Sequence, residues 1–402
     1  MSEISRVLGF AACAVLLACQ VTAKPMKVFI LAGQSNMTGI VDARTLAHIQ
    51  MFPDTAAEFA SLFDAEGNPV VLDEVQVSQW LDKESGPLAP RYGGGTTGSQ
   101  LGPDYAFGIY MHAALDEPFL IIKTSLGSRT LNYHFRSPSA GAWTPPPGHP
   151  DVEEEASIEG EREQGSQQTE AMQKEASERE AERGGFYRKM ISHVKAVLGD
   201  IKSVHPAYDE AAGYEIAGFV WFQGWHDRVD KQLYPNQDKP RGYEQYTWLL
   251  EHFIRDVRND LGAPDMPFVI GVLGIDGIST DPDSPMTHFQ HAMAAPASNP
   301  EFRGTVVAVQ TGKYWDHDLA ALAARSGQVS RQRRVLRRQQ GLEGEALEKA
   351  YAAYRAEHIT PEEDALLQNA VSDGVVHYLG SAKIMCGIGK GFAEAMLELL
   401  KE

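Results

Sequence analysis

Residues 27–37 read KVFILAGQSNM, and this stretch decides the fold class. Its first part, residues 27–32, is apolar and rich in strand formers, and Gly33 follows as a turn signal. Runs that do not alternate apolar with polar residues are typical of strands covered on both faces. The sequence predicts five such strands, the other four at residues 119–123 (FLIIK), 217–222 (AGFVWF), 268–273 (FVIGVL) and 305–309 (TVVAV).

Helical patterns separate these runs. They lie at residues 105–114, 186–204, 243–261 and 381–400. A chain that alternates strands with helices forms a parallel sheet, and the helices cover both of its faces. We therefore expect an α/β fold with a five-stranded parallel sheet.

Two polar segments interrupt this pattern. Residues 137–185 begin rich in Pro and Gly and continue with Glu, Gln, Arg, Ser and Ala, which cannot bury an apolar face. Residues 319–370 are helix-prone and include the basic run 331–338 (RQRRVLRR). We interpret both segments as insertions into one domain that spans residues 24–402.

The N-terminus has the pattern of a signal peptide over residues 1–23. Arg6 provides a positive charge, residues 7–21 are apolar or small, and Val21-Thr22-Ala23 is a small-residue cleavage site. We expect export to the periplasm or the exterior and no transmembrane span in the mature chain. Cys19 lies in a sequence that also resembles a lipoprotein cleavage box, so lipidation there is the alternative.

Charge and cysteine usage narrow the class of protein. The formal net charge of −18 makes nucleic acid an improbable partner, because phosphate backbones are repelled. The basic run 331–338 is read as one face of a solvated helix with acidic residues nearby. After removal of the leader only Cys386 remains, which excludes an intrachain disulfide.

Ser35 is the candidate nucleophile. It follows the first predicted strand, and ligands bind at the carboxyl ends of strands in an open parallel sheet. Gly33 allows a sharp turn there, and the amide of Ser35 is suited to bind a developing oxyanion. A serine that merely caps a helix would give the same local pattern.

Three later segments supply groups that complement a serine nucleophile. His377 precedes the last predicted helix, where it can act as a general base, and Asp373 lies four residues earlier. Gln223 ends the third predicted strand and offers a side-chain amide. Gly127 follows the second strand and offers a backbone amide.

These blocks, in this order, resemble the SGNH-hydrolase superfamily, and more narrowly its sialic-acid-specific acetylesterase and carbohydrate esterase family 6 group. Residues 33–37 (GQSNM) match the nucleophile block, and Gly127 matches the glycine block. Residues 221–224 (WFQG) match the WxQG block, and His377 matches the last one.

The resemblance implies a flavodoxin-like three-layer α/β/α sandwich and an esterase that removes O-acetyl groups from carbohydrates, with no metal or cofactor. Ser35 would attack the acyl carbon, and His377 would accept its proton. The amides of Ser35 and Gly127 and the side chain of Gln223 would bind the oxyanion. An acetylated carbohydrate, sialic acid or a polysaccharide, is thus the expected partner.

The acid that orients the histidine departs from the family pattern. Many relatives have Asp three residues before the His, where this chain has Gly374, and others have an acid at the position of Trp225. Asp373 is the first candidate and Asp227 the second. A Ser–His pair oriented by a backbone carbonyl is the third possibility.

Three other functions compete with this interpretation. A carbohydrate-binding protein that has lost catalysis could keep the same fold. A lipase or thioesterase of the superfamily usually begins with Gly-Asp-Ser, whereas this chain has Gly-Gln-Ser, and its insertions are polar. A metal-dependent hydrolase would need ligands from residues 226–227 (HD) or 316–318 (DHD), which lack a recognised zinc spacing.

Overall fold

The structure, a computed structural model, describes residues 24–80, 84–94, 99–142 and 183–401. The predicted leader (residues 1–23), with Cys13 and Cys19, lies outside the described residues, as does most of the first predicted insertion. Cys386 is buried and unpaired. None of the helices in the described residues is both long and apolar enough to cross a bilayer.

A central sheet organises the fold. The strands are β1 (Met26–Gly33), β2 (Val41–Asp42), β3 (Leu72–Gln79), β4 (Ser85–Leu88), β5 (Gln100–Leu101), β6 (Phe119–Ser125), β7 (Tyr214–Phe222), β8 (Phe268–Val272) and β9 (Val306–Gln310). Seven of them form one sheet in the order β4-β3-β6-β1-β7-β8-β9, in which β4 is antiparallel and the others are parallel. Strands β2 and β5 pair separately.

The prediction of an α/β sandwich is confirmed, but the count of five strands is wrong. The five predicted runs are β1, β6, β7, β8 and β9, and the sheet continues beyond β6 with β3 and β4. Strand β3 begins with exposed acidic residues, and β4 contains Gly and Pro. Neither therefore has the continuous apolar run of a strand buried on both faces.

The helices lie between the strands, as expected. They are α1 (Ser35–Thr38), α2 (Ala47–Gln50), α3 (Pro53–Glu58), α4 (Pro103–Leu115), α5 (Gly185–Leu198), α6 (Ile201–Val204), α7 (Trp225–Val229), α8 (Glu244–Leu261), α9 (Pro285–Ala294), α10 (His317–Gln340), α11 (Gly344–His358), α12 (Pro361–Ala370) and α13 (Ala382–Leu399). Helices α4, α8 and α13 correspond to three of the four predicted helical patterns, and the fourth, at residues 186–204, is divided into α5 and α6.

Aromatic contacts show the three layers. On one face, Phe222 of β7 packs on Phe392 of α13 with ring centroids 5.4 Å apart. On the other face, Phe219 of β7 packs on Phe253 of α8 at 6.0 Å. Side chains alternate between the two faces of a strand, so both must be apolar when helices cover both. This explains the unbroken apolar run of β7.

The predicted second insertion is an outer helical layer made of α10, α11 and α12. It has a small apolar cluster of its own, formed by Leu322, Val329, Ile359 and Leu367. Within the basic run, Arg333 forms an ion pair with Glu348 of α11.

The register of the sheet brings the predicted site segments to one edge. Gly33 at the end of β1 pairs with Ser125 of β6 on one side and with Phe222 of β7 on the other. The chain positions just beyond this row are those of Ser35, Gly127 and Gln223. Parallel pairing therefore collects residues that are up to about 190 positions apart in sequence.

Candidate active site

The turn that carries Ser35 is held tightly against β7. Gly33 has φ +153°, and a Cβ at this position would lie 2.1 Å from the carbonyl oxygen of Phe222. Only glycine fits this close approach. Gln34 adds a bond across the same gap, because its Oε1 accepts from the amide of Gly224 at 3.1 Å. Ser35 then begins α1 and is only 6% exposed.

Gly127 lies beside Ser35. The amide of Leu126 donates to the carbonyl of Gly33 at 3.1 Å, which ties the loop after β6 to the end of β1. A Cβ built on Gly127 would be 3.6 Å from Cβ of Ser35. In the described part of the chain, neither the amide of Ser35 nor that of Gly127 donates to a protein acceptor. Both amides are therefore free to bind an anionic oxygen.

The segment that carries His377 is anchored next to the nucleophile turn. Nδ2 of Asn36 donates to the carbonyl of Val376 at 3.2 Å, which joins the neighbours in sequence of Ser35 and His377. Tyr378 is fully buried; its hydroxyl oxygen accepts from the amide of Gly274 at 2.8 Å and contacts the hydroxyl of Thr311 at 2.7 Å.

The backbone after His377 is strained. Tyr378 has φ 52° and Leu379 has φ 62°, although neither is glycine. Such conformations cost about 1–3 kcal/mol each and persist only where the surroundings enforce them. Strain of this kind concentrates at functional sites, which agrees with the predicted role of the neighbouring His377.

Asp373 is the carboxylate that reaches His377. Its Oδ1 lies 3.2 Å from Nδ1 of His377, and the two side chains are 33% and 24% exposed. In this conformation Nδ1 has no hydrogen-bond partner in the described residues, so the carboxylate is close to it but not aligned for a hydrogen bond. Because Asp373 faces Nδ1, Nε2 is the nitrogen left for proton transfer.

Asp227, the second candidate acid, is engaged elsewhere. It is fully buried and accepts from the amides of Leu131 and Asn132 at 2.8 and 3.2 Å. It also accepts from Nε2 of Gln223 at 2.6 Å and from the hydroxyl of Tyr234 at 3.4 Å. It therefore fixes the loop after β6 to the end of β7, and Asp373 is the carboxylate brought to His377.

Gln223 is held in the same network. Its Nε2 donates to Asp227 and to the carbonyl of Arg129 at 2.8 Å, and its Oε1 accepts from Tyr246 at 3.0 Å. Both amide hydrogens are thus used. The predicted donation from Gln223 to an oxyanion would require one of these bonds to open.

Burial and nearby positive charge shift the pKa values of several groups at the sheet edge that carries Ser35. Burial raises the pKa of Asp227 to about 6, although its hydrogen bonds oppose the shift. Burial, followed by the charge of Arg129, lowers the pKa of His134 to about 4. The same two causes lower the pKa of His226, with His377 as a further contributor. These two imidazoles are therefore neutral at pH 7.

Ser139 belongs to a second Ser–His–Asp group. Its Oγ lies 2.7 Å from Nδ1 of His252 and 2.8 Å from Oδ2 of Asp256. Both contacts go to the serine, so the carboxylate does not orient the imidazole as it does in a catalytic triad. The group ties the chain before residue 143 to α8, and Ser139 is exposed.

No group of three or more His, Cys, Asp or Glu side chains in the described ranges could hold a metal ion. Of the residues considered for a metal-dependent hydrolase, Asp227 already accepts the hydrogen bonds described above. Asp316 caps α10 by accepting from the amide of Leu319 and binds Lys383 at 2.8 Å.

Sequence reasoning missed two residues that flank the nucleophile, Gln34 and Asn36. Each makes the bond described above, and each also keeps one buried polar atom unpaired within the described residues, Nε2 of Gln34 and Oδ1 of Asn36. Buried polar atoms normally have partners, often water or ligand. The available signal was their position on either side of Ser35 in the nucleophile block.

Comparisons with known proteins give one family match, to the middle of the chain. Residues 165–316 match the family model for "Carbohydrate esterase, sialic acid-specific acetylesterase". This range includes Gln223 and Asp227 but not Ser35, Gly127 or His377. No curated protein matches the sequence.

Two solved structures are similar at low sequence identity. A protein from Arabidopsis thaliana is 16% identical, with a TM-score of 0.39, over 71% of this chain and 86% of that one. A carbohydrate acetylesterase from Xanthomonas citri is 14% identical, with a TM-score of 0.36, over 70% of this chain and 49% of that one. The family match covers part of the chain and supports a sialate O-acetylesterase-like domain, with O-acetyl removal from carbohydrates as its general chemistry.

Proposed function

We propose that this protein is an exported serine esterase that removes O-acetyl groups from carbohydrates, with Ser35 as nucleophile and His377 as general base. The observation that carries the proposal is the bond from Asn36 to Val376, which joins the neighbours of Ser35 and His377 at the edge where Gly127 lies. Nucleophile, base and amide donors are the three parts that acyl transfer needs.

In the first half of the reaction, Oγ of Ser35 adds to the acetyl carbonyl carbon while its proton passes to Nε2 of His377. The amides of Ser35 and Gly127 bind the resulting oxyanion. When the tetrahedral intermediate collapses, the C–O bond to the sugar breaks and His377 returns the proton to the leaving oxygen. The products are a free sugar hydroxyl and acetylated Ser35.

In the second half, His377 removes a proton from water, and the resulting hydroxide adds to the acetyl carbon. Collapse releases acetate and restores Ser35 with the proton from His377. Asp373 lies beside Nδ1 in both halves, where a carboxylate holds the imidazole in the orientation that leaves Nε2 facing the reacting atoms. Asp227 and Gln223 hold the loop that bears Gly127 and do not touch the reacting atoms.

The test is hydrolysis of p-nitrophenyl acetate by the purified protein and by Ser35→Ala. We expect Ser35→Ala to lose at least about 1,000-fold in kcat, as for nucleophile loss in other acyl transferases. Ser139→Ala is the matched control, since it removes a serine that also contacts a His and an Asp, and it should retain wild-type activity. Equal activity of wild type and Ser35→Ala would contradict the proposal and favour the alternative of a carbohydrate-binding protein that has lost catalysis.

The acyl group and its carrier are tested with three substrates: acetylated xylan, acetylated sialic acid and a long-chain ester. We expect acetate release from one or both carbohydrates and little hydrolysis of the long-chain ester. Preference for the long-chain ester would instead favour the lipase alternative. Export is tested separately, by mass spectrometry of the mature N-terminus, which distinguishes cleavage after Ala23 from lipidation at Cys19.

A further inference from the structure

Lys123 is a completely buried charge in the middle of the sheet. It lies on β6, and its side chain is 0% exposed. Its Nζ donates to the carboxylate of Asp104 at 2.6 Å, to the carbonyl of Thr38 at 2.8 Å and to the carbonyl of Tyr92. An ammonium group has three hydrogens, so all of its donors are used.

These bonds connect the two segments that carry the proposed oxyanion donors. Lys123 belongs to β6, the strand that leads into Gly127, whereas Thr38 is the last residue of α1, which begins with Ser35. The loop after β6 is bonded to β1 at the near end, through Leu126 and Gly33. The side chain of Lys123 adds a second connection at the far end of α1.

The surroundings leave room for this ammonium group. Gly102 lies directly beside it: a Cβ there would be 3.0 Å from Nζ of Lys123, 2.6 Å from Oδ1 of Asp104 and 2.9 Å from the carbonyl oxygen of Met37. Any larger residue would displace either the lysine or the end of α1. Asp104 lies in the first turn of α4, where the helix dipole favours a negative charge.

Stability alone gives a weak reason for this arrangement. Desolvation of a buried ion pair often costs as much as its attraction returns, and apolar residues of similar volume serve as well or better. The preceding residues of β6, Phe119 to Ile122, are all apolar and fully buried. A lysine at the next position therefore suits a positional role better than a packing role.

We propose that Lys123 is a positioning residue of the esterase: it fixes the end of α1 and thereby the spacing between the amides of Ser35 and Gly127. This inference rests on the proposed function for its effect on catalysis. The hydrogen bond from the amide of Gly39 to the carbonyl of Ser35, 2.8 Å long, reports the same geometry without any reaction.

The experiment compares Lys123→Met, the double variant Lys123→Met with Asp104→Leu, and Lys27→Met. The double variant leaves no unpaired buried charge, so it folds even if the single variant does not. Lys27→Met is the matched control: Lys27 lies on the neighbouring strand β1, and its ion pair with Glu117, at 2.9 Å, is at the surface.

We expect the Lys123 variants to lose about 10- to 100-fold in kcat on p-nitrophenyl acetate with KM nearly unchanged, since misplaced donors weaken transition-state binding. Deuterium exchange at the amide of Gly39 should become faster. Lys27→Met should match wild type in both measurements.

An unchanged exchange rate at the Gly39 amide in a folded Lys123 variant would overturn the inference. If the wild type hydrolyses the ester, a Lys123 variant with the same kcat as wild type would overturn it too. If wild type shows no hydrolysis that depends on Ser35, the proposed function fails instead. In that case the Gly39 exchange alone decides whether Lys123 positions the turn.

Discussion

The Asp373–His377 pair is partly exposed and imperfectly aligned, and this limits its contribution to catalysis. A buried, well-aligned triad Asp contributes about 10⁴-fold to kcat, whereas an ion pair in contact with water is partly screened. We therefore expect Asp373→Asn to lower kcat only about 10-fold. The measurement is the kcat for p-nitrophenyl acetate between pH 6 and 9.

His377→Ala is the reference variant for Asp373→Asn, because it removes the proposed base itself and should lower kcat much further. Two outcomes would contradict the assignment of Asp373. A loss as large as that of His377→Ala would mean that the pair tightens in the working enzyme. An unchanged kcat would mean that a backbone carbonyl orients the imidazole.

Asp227 makes stability depend on pH in a defined direction. Burial raises its pKa from 3.8 to about 6 in the folded protein. Between about pH 4 and pH 6 the folded state thus holds a proton that the unfolded state has released, so the free energy of unfolding falls as pH rises through this window and is level above it. From the two pKa values the total is about 3 kcal/mol.

Urea denaturation of wild type and Asp227→Asn from pH 4 to pH 7.5 measures this term. The variant cannot titrate at position 227, so the difference in unfolding free energy, wild type minus variant, should fall by about 2.4 kcal/mol over the range, since part of the total is already lost at pH 4. A difference that does not vary with pH would show that Asp227 keeps an ordinary pKa in the fold.

At the residue level, the sequence was informative where a motif coincided with the end of a strand. Ser35 after β1 and Gly127 after β6 are predictions of this kind, and the structure brings these two residues together, whereas His377 is predicted from its position before the last helix. The partners of Asp227 could not be predicted, because the amides at positions 131 and 132 approach it only after the loop following β6 has folded. Lys123 was visible as a charge in an apolar strand, but the carbonyls that it binds carry no sequence signal.

At the level of elements, the contact between the ends of β1 and β7 depends on Gly33. An alanine there would place its Cβ 2.1 Å from the carbonyl oxygen of Phe222, so the two strands must separate. We expect Gly33→Ala to lower the free energy of unfolding by about 3 kcal/mol or more and to reduce kcat, because Ser35 follows two residues later.

Gly262→Ala separates this clash from the cost of backbone strain alone. Gly262 has φ +67° at the end of α8, and a Cβ there would meet nothing within 4 Å. Urea denaturation should show that Gly262→Ala lowers the free energy of unfolding by about 1 kcal/mol, and the variant should keep the wild-type kcat. Equal losses for the two variants would mean that β1 and β7 do not need their close approach.

Strands β3 and β4 show where pattern reasoning stops at this level. The five predicted strands have neighbouring strands on both sides or helices on both faces. Their residues are therefore apolar at successive positions, which the sequence shows directly. Strand β3 begins with two consecutive exposed acidic residues, and β4 is an edge strand, where Gly and Pro are tolerated. Strand β3 forms by pairing with β6, and β4 forms by pairing with β3, and such pairing is a non-local property.

For the whole molecule, the site is a consequence of parallel topology. Each βα unit returns the chain to the same edge, so the turn after β1, the loop after β6 and the end of β7 lie side by side. The His377 segment reaches this edge because Tyr378 is anchored beyond β8 and β9. The order of the blocks in sequence could therefore predict their convergence, but not the bonds between them.

The central sheet and the outer helical layer of α10, α11 and α12 differ in how many apolar contacts stabilise them, and hydrogen exchange should show the difference. Strand β1 is almost entirely buried, whereas α11 buries only Leu347. The ion pair between Arg333 and Glu348, next to Leu347 in sequence, is exposed. Amides open locally where few apolar contacts hold them. We expect amides of α11 to exchange at least about 100-fold faster than those of β1, as measured by mass spectrometry of peptides under native conditions. Equal exchange rates for the amides of α11 and β1 would mean that α10 to α12 unfold only together with the sheet. A destabilising substitution in α11 would then also destabilise the segment that carries Ser35.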